Sequence, residues 1–296
     1  MRMTGTIQLP DGRNLAFLDG GEPKGYPVIG LHGTPGCRLS RWPDDDVYRA
    51  AGIRYITTDR AGYGQSSRNP GRSVADEAAD IAALADELGL SSFAVVGGSG
   101  GGPHALACAA LLADRVERVA CQSGLAPLGS EGLAQVDWLR GMSDECIDEL
   151  HWAQAGEPTL LRELTIQQRD MEKILVSEPA RLLGKGIPEA DLAYMERPEV
   201  IEAFRRITAE QAAHGVFGSV DDQSAFSKPW GFDVSTIAIP VLVTFGLNDV
   251  FTPAAHGEWI ASRIELVDVR VNAEGGHMPT DPIAEIAETM AWLQGL

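Results

Sequence analysis

Apolar and polar positions alternate with a period of two near the start of the chain. Thr6-Ile7-Gln8-Leu9 is followed by the turn-forming Pro10-Asp11-Gly12 and then by Asn14-Leu15-Ala16-Phe17-Leu18, which predicts a β-hairpin. Pro27–Leu31 and Ile53–Thr58 are short apolar runs of strand type, each ending in a glycine-containing loop, His32-Gly33-Thr34-Pro35-Gly36 and Asp59-Arg60-Ala61-Gly62-Tyr63-Gly64. Between Ser73 and Leu88 the period changes: Val74, Ala78, Ile81, Leu84, Ala85 and Leu88 share one helical face, Ser73 is placed to cap the start with Asp76 three residues on, and Gly89 supplies the stop. Phe93–Val96 predicts a strand running into Gly97-Gly98-Ser99-Gly100-Gly101, then a helix over 102–113 and a strand over 116–121. Strands that are apolar on both faces and alternate with helices predict an α/β domain with a mostly parallel sheet covered by helices.

The pattern breaks between about residues 125 and 230. Strand signals stop, and stretches 132–142, 157–176 and 199–214 read as helices punctuated by Pro158, Pro179, Pro188 and Pro198. Alternation resumes with a strand over 239–245, a helix near 254–263, a strand over 264–271 and a last helix over 283–293. The expected organisation is a core formed by residues 1–125 and 233–296, with residues 126–232 inserted as a helical cap.

Composition narrows the function classes. With 42 acidic and 24 basic residues the net charge is −18, a field that repels phosphate backbones and argues against nucleic-acid binding. No stretch reaches the ~18 apolar residues of a membrane helix, and residues 1–10 lack the apolar core of a signal peptide. Cys37, Cys108, Cys121 and Cys146 form no C-x-x-C pair, and Cys108 and Cys121 lie in apolar runs. A reduced, cytoplasmic protein without metal or organic cofactor is the expectation. Nothing in the chain speaks to oligomeric state.

The chemistry concentrates at strand ends. Gly97-Gly98-Ser99-Gly100-Gly101 satisfies G-x-S-x-G in a strand–turn–helix context. There a serine held in a strained turn needs small residues two positions to either side, so that strand and helix can approach. The same run fails the dinucleotide pattern G-x-G-x-x-G, because the required glycines fall on Ser99 or Pro103. A serine nucleophile needs a base, and the base needs an orienting carboxylate, in the chain order Ser, Asp or Glu, His. Among the six histidines, His277 directly follows a predicted strand and sits beside glycines. Asp249 follows the strand over 239–245. His256, on a helix, ranks second as base, and Asp268, inside a strand, is a poorer acid. A tetrahedral oxyanion needs two donors; the backbone N–H groups of Gly100 and Thr34 are the candidates, with His32 packed beneath the loop that carries Thr34.

Together His32-Gly33-Thr34-Pro35, Asp59–Ser66, Gly97-x-Ser99-x-Gly101, Gly246-x-x-Asp249 with Pro253, and Gly275-Gly276-His277 resemble the α/β-hydrolase superfamily, in its cap-bearing serine-hydrolase branch. The resemblance implies Ser99, Asp249 and His277 as a catalytic triad and points to carboxylesterases, proline iminopeptidases and carbon–carbon bond hydrolases. Dehalogenases and epoxide hydrolases of this branch carry aspartate where Ser99 stands, which disfavours their chemistries. The chain departs from the pattern in one respect: glycine flanks the serine on both sides, so open space is expected around the nucleophile. The resulting expectation is hydrolysis of a small to medium carboxylic ester of a small-molecule substrate. The rival readings are an N-terminal prolyl peptidase, a carbon–carbon bond hydrolase, and a ligand-binding receptor that works by cap closure. In the 126–232 segment, Trp138, Met142, Trp152, Tyr194, Met195, Phe204, Phe217, Phe226 and Trp230 are candidate pocket or packing residues. Glu157, Glu163 and Asp170 are candidate contacts for a free amine, or a solvated helix face.

Overall fold

A computed structural model describes residues 2–129, 133–177 and 186–296. The hairpin forms as expected: β1 (Met3–Gln8) pairs antiparallel with β2 (Asn14–Gly21), and Gly12 in the turn has a left-handed backbone. Six further strands follow: β3 (Tyr26–Leu31), β4 (Ile53–Thr58), β5 (Phe93–Gly98), β6 (Val116–Gln122), β7 (Val241–Gly246) and β8 (Val267–Asn272). They make one eight-stranded sheet in the order β1-β2-β4-β3-β5-β6-β7-β8, parallel from β4 to β8.

Helices cover both faces. On one side lie α2 (Asp76–Glu87), α3 (Gly101–Leu111) and α10 (Ala254–Arg263), packed through Ile81, Leu84, Leu106 and Ile260 onto Ile29, Val95, Val119 and Val243. On the other lie α1 (Asp46–Ala50) and α11 (Pro282–Leu293), where Tyr48, Met290 and Leu293 meet Val28, Tyr55, Val96, Ala120 and Leu242. Burial on both faces explains why the central strands read as continuous apolar runs.

Between β6 and β7 the described residues form helices: α4 (Gln135–Trp138), α5 (Asp144–Ala155), α6 (Glu157–Ser177), α7 (Glu189–Met195), α8 (Pro198–Gln211) and α9 (Phe217–Phe226). The helix expected over 132–142 reduces to the four residues of α4, and residues 130–132 at its start lie outside the described ones, as does Pro179. The helices α1, α5, α7 and α9 escaped the sequence pattern. α1 and α7 are short, and α9 places Asp221 and Asp222 among its buried residues, which breaks any clean apolar stripe. α2 begins at Asp76 rather than Ser73, with Asp76 Oδ2 accepting from Ser73 N and Oγ. All four cysteines are free. Among the described residues no helix is long and apolar enough to cross a membrane.

Candidate active site

Thr34, Ser99, Gly100, Asp249 and His277 all lie in segments that leave the C-terminal ends of parallel strands, β3, β5, β7 and the edge strand β8. Ser99 follows β5 with φ +53°, a left-handed conformation rare outside glycine, and its N–H donates to Gln122 O at the end of β6. The steric reading of the glycines holds at both outer positions. A Cβ at Gly97 would lie 2.2 Å from Gly101 O, and one at Gly101 would lie 2.2 Å from Leu31 O. Strand, turn and helix are therefore packed backbone to backbone, and α3 starts two residues after the serine.

The two glycines that flank Ser99 are not equivalent. A Cβ at Gly98 would meet nothing within 4 Å, as expected of an open surround. One at Gly100 would lie 2.3 Å from Thr34 Oγ1. The expected openness is thus present on the Gly98 side alone; on the other side Thr34 fills the space. The same contact brings Thr34 N within 3.1 Å of that Cβ position, so the two candidate oxyanion donors are neighbours.

Thr34 is held from below by a buried ionic network. Its Oγ1 donates to Asp222 of α9 and accepts from Arg60 Nη2 at 3.1 Å. Arg60, 1% exposed, spans Asp222 (Nε to Oδ1, 2.9 Å), His32 O (2.8 Å) and Gly33 O (3.2 Å). Arg72 and the Tyr63 hydroxyl also bind Asp222. Burial pushes the Asp222 carboxyl upward, but the arginines dominate and hold it well below the ordinary carboxylate range. His32 packs under the loop as expected: Nε2 accepts from Arg60 N at 3.1 Å, which leaves Nδ1–H to donate to Gly33 O at 2.7 Å. Burial and the neighbouring Arg60 keep this ring neutral. Asp59, at the head of the second glycine loop, accepts from Arg38 N and Gln65 N and fixes the turn that presents Arg60.

Asp249 and His277 meet across the ends of β7 and β8, with Nδ1 2.7 Å from Oδ2. The other carboxylate oxygen accepts from Phe251 N (2.8 Å) and Thr252 N (2.9 Å), so the backbone fixes which oxygen faces the imidazole. Burial raises the Asp249 carboxyl, but His277 and these N–H donors outweigh it and the net shift is downward. Burial likewise lowers His277, yet Asp249, helped by Asp191, raises it above the ordinary histidine value. Neither Ser99 Oγ nor His277 Nε2 has a hydrogen-bond partner among the described residues; such bonds are often long before substrate arrives.

The remaining candidates fall elsewhere. Both nitrogens of His256 are engaged, Nδ1 by Ala126 N at 3.1 Å and Nε2 by Trp138 O at 2.9 Å, and burial lowers the ring to about 4. It ties α10 to the helical segment and has no free lone pair for a substrate. Asp268 accepts from Trp292 Nε1 at 2.6 Å, on the face of β8 turned to α11. Glu157, Glu163 and Asp170 pair with Arg68, Arg162 and Lys173 at the surface.

A cavity of about 920 Å³ joins these elements, lined by Ser99, Thr34, Gly100 and His277. From the helical segment Trp138, Met142, Tyr194, Phe204 and Phe226 reach its wall, whereas Trp152, Met195, Phe217 and Trp230 do not. The sequence reading missed two carboxylates. Asp191 of α7 is fully buried and accepts from the backbone N–H groups of His277 (2.9 Å) and Met278 (2.8 Å). Glu149 of α5 lines the cavity, accepts from the Gln167 and Gln223 side-chain amides, and is raised by burial to about 7. Both sit in ordinary-looking acidic helical turns, so only tertiary contact distinguishes them. Among the described residues no group of three or more His, Cys, Asp or Glu is arranged to hold a metal ion.

The strand order and the helices on both faces are those of the α/β-hydrolase fold. Residues 26–146 match the family model of the alpha/beta hydrolase fold. A non-heme chloroperoxidase of Streptomyces lividans is 32% identical over 155 residues, 51% of this chain; the chain spans about half, 55%, of that relative's length. A proline iminopeptidase of Xylella fastidiosa (strain Temecula1) is 26% identical over 94% of this chain and 91% of its own. An esterase from Exiguobacterium antarcticum shares the fold with a TM-score of 0.68 at 23% identity, covering 99% of this chain and all of its own. The sheet order and these likenesses agree on the α/β-hydrolase fold.

Proposed function

We propose that the protein is a serine hydrolase that cleaves small to medium carboxylic esters through an acyl-enzyme intermediate. One observation carries the reading: a buried Asp249–His277 pair, with Nδ1 2.7 Å from Oδ2, shares a cavity with a serine at positive φ. In this mechanism Ser99 Oγ attacks the ester carbonyl while His277 Nε2 takes its proton. Asp249 Oδ2 holds the Nδ1–H tautomer and stabilises the imidazolium that forms. The Thr34 and Gly100 N–H groups receive the oxyanion, which adds to the positive end of α3. His277 then protonates the leaving alcohol and later activates the water that releases the acid. Residues 126–232 act as a cap over this chemistry. Turnover of short p-nitrophenyl esters tests the proposal. Ser99→Ala should lower kcat by about 10⁴-fold or more and abolish labelling by a fluorophosphonate; equal turnover in the two proteins removes the assignment.

A second reading, removal of an N-terminal residue such as proline, is favoured by Glu149. It lines the cavity and no cation pairs with it among the described residues, so a substrate ammonium group would draw the carboxyl, raised by burial to about 7, into its ionised form and find a counter-charge there. A prolyl-naphthylamide assay separates the two. If the aminopeptidase reading holds, Glu149→Gln raises KM for that substrate and leaves KM for neutral esters in place.

A further inference from the structure

The cavity has a second arm on the sheet face that carries α1 and α11. Strand register puts Gly98, Gln122 and Thr244 in one row across β5, β6 and β7, directly above the row Val96, Ala120 and Leu242 that packs in the core beneath α11. In the lower row apolar side chains fill the space between sheet and helix. In the upper row Gly98 has no side chain, and Gln122 Nε2 donates to Thr289 Oγ1 of α11 at 3.3 Å. A gap between sheet and helix is left, and it is continuous with the space at Ser99 because a Cβ at Gly98 would find no atom within 4 Å.

We propose that this arm is a binding site for an extended, uncharged, mainly aliphatic substituent of the substrate, admitted past Gly98. Its walls come from Tyr55, Val96, Ile286 and Met290, and its inner polar groups, Gln122, Thr244 and Thr289, are neutral. The charged groups on this side are already engaged: Arg270 lies 3.6 Å from Glu288, Arg41, stacked on Tyr55, pairs with Asp45 at 2.7 Å, and Asp281 and Glu285 accept backbone N–H groups of Ala284 and Thr280 at the start of α11. A charged substituent would lose hydration in the inner arm without gaining a counter-ion. A methylene chain gains by leaving water, by about fourfold in affinity per buried CH₂. The chain can belong to the acyl group or to the alcohol, since both lie beside the reacting carbonyl. The proposal rests on the hydrolase reading only in taking Ser99 as the centre from which the arm starts.

Binding is measured by titration calorimetry on Ser99→Ala, so that no turnover intervenes. Methyl octanoate probes a chain on the acyl side, octyl acetate one on the alcohol side, and methyl acetate is the reference. At least one eight-carbon ester should bind tenfold or more tighter than the reference, and adding Gly98→Phe should reduce that margin at least tenfold. Thr244→Phe, which fills the arm from the β7 side, should do the same and serves if the first substitution impairs folding. A margin that is absent, or that survives both substitutions, overturns the proposal. Turnover by the unsubstituted protein is read separately. A chain-length margin in binding without hydrolysis of any ester removes the esterase reading and keeps the arm, whereas hydrolysis without a margin does the reverse.

Discussion

Asp249 gives one oxygen to backbone N–H groups and the other to His277, and its charge raises the imidazole above the ordinary histidine value of about 6.5. A general base must be neutral to accept a proton. Ester turnover should therefore rise with pH through the raised His277 pKa and level off above it. In Asp249→Asn the charge that favours imidazolium is gone, so the acid limb of kcat/KM moves to lower pH, while kcat falls by about 10³–10⁴-fold because the tautomer is no longer held. A pH–rate profile of both proteins checks this; a limb that stays in place would mean that another group titrates. That Ser99, Asp249 and His277 would come to one edge of the sheet was legible in the sequence because each follows an apolar run, and a parallel sheet gathers such ends on one edge. Asp191 and Glu149 were not, because an acidic residue within two turns of a helix start is equally well explained by the helix dipole or by solvent. Only chains distant in sequence, the His277 loop for Asp191 and the cavity wall for Glu149, give them another role.

At the level of elements, α7 and α9 act on the site without touching its reacting atoms. Through Asp191, α7 grips the backbone on which the His277 ring is mounted, and a Cβ at Gly276 would lie 2.4 Å from that carboxylate. Asp191→Asn replaces one acceptor oxygen by an N–H₂ group facing an N–H donor, so the loop must shift. The expected result is a fall in kcat of about tenfold with KM for the same ester little changed, read from steady-state kinetics. Through Asp222, α9 supplies one carboxylate shared by Arg60 and Arg72 beneath the Thr34 loop. Asp222→Asn leaves two buried guanidinium groups short of charge and should cost about 3–5 kcal/mol of stability, measured by urea unfolding. The strands and the core helices were readable because their periodicities are driven by burial on known faces. α9 was not, because it buries Asp221 and Asp222 alongside Val220 and Phe226, and their partners lie in segments about 150 residues earlier in the chain.

For the molecule as a whole, a net charge of −18 sets a field that any substrate must cross. An ester carrying a free carboxylate should show kcat/KM rising with ionic strength as the repulsion is screened, whereas a neutral ester of the same length should show little change. Parallel assays from low to moderate salt would reveal this. Alternation of strands and helices was enough to expect a parallel sheet. The strand order was not accessible, since it depends on which strands cross over and every central strand is equally apolar. The position of Asp222 bears on how such a chain can be rebuilt. The counter-ion of Arg60 and Arg72 is supplied from inside the 126–232 segment, close to its C-terminal boundary. That segment is therefore not a cassette to be cut out or exchanged for a relative's at the strand ends. A graft has to bring its own acid to this position, or the junction has to fall before α9, leaving Asp222 with the arginines it serves.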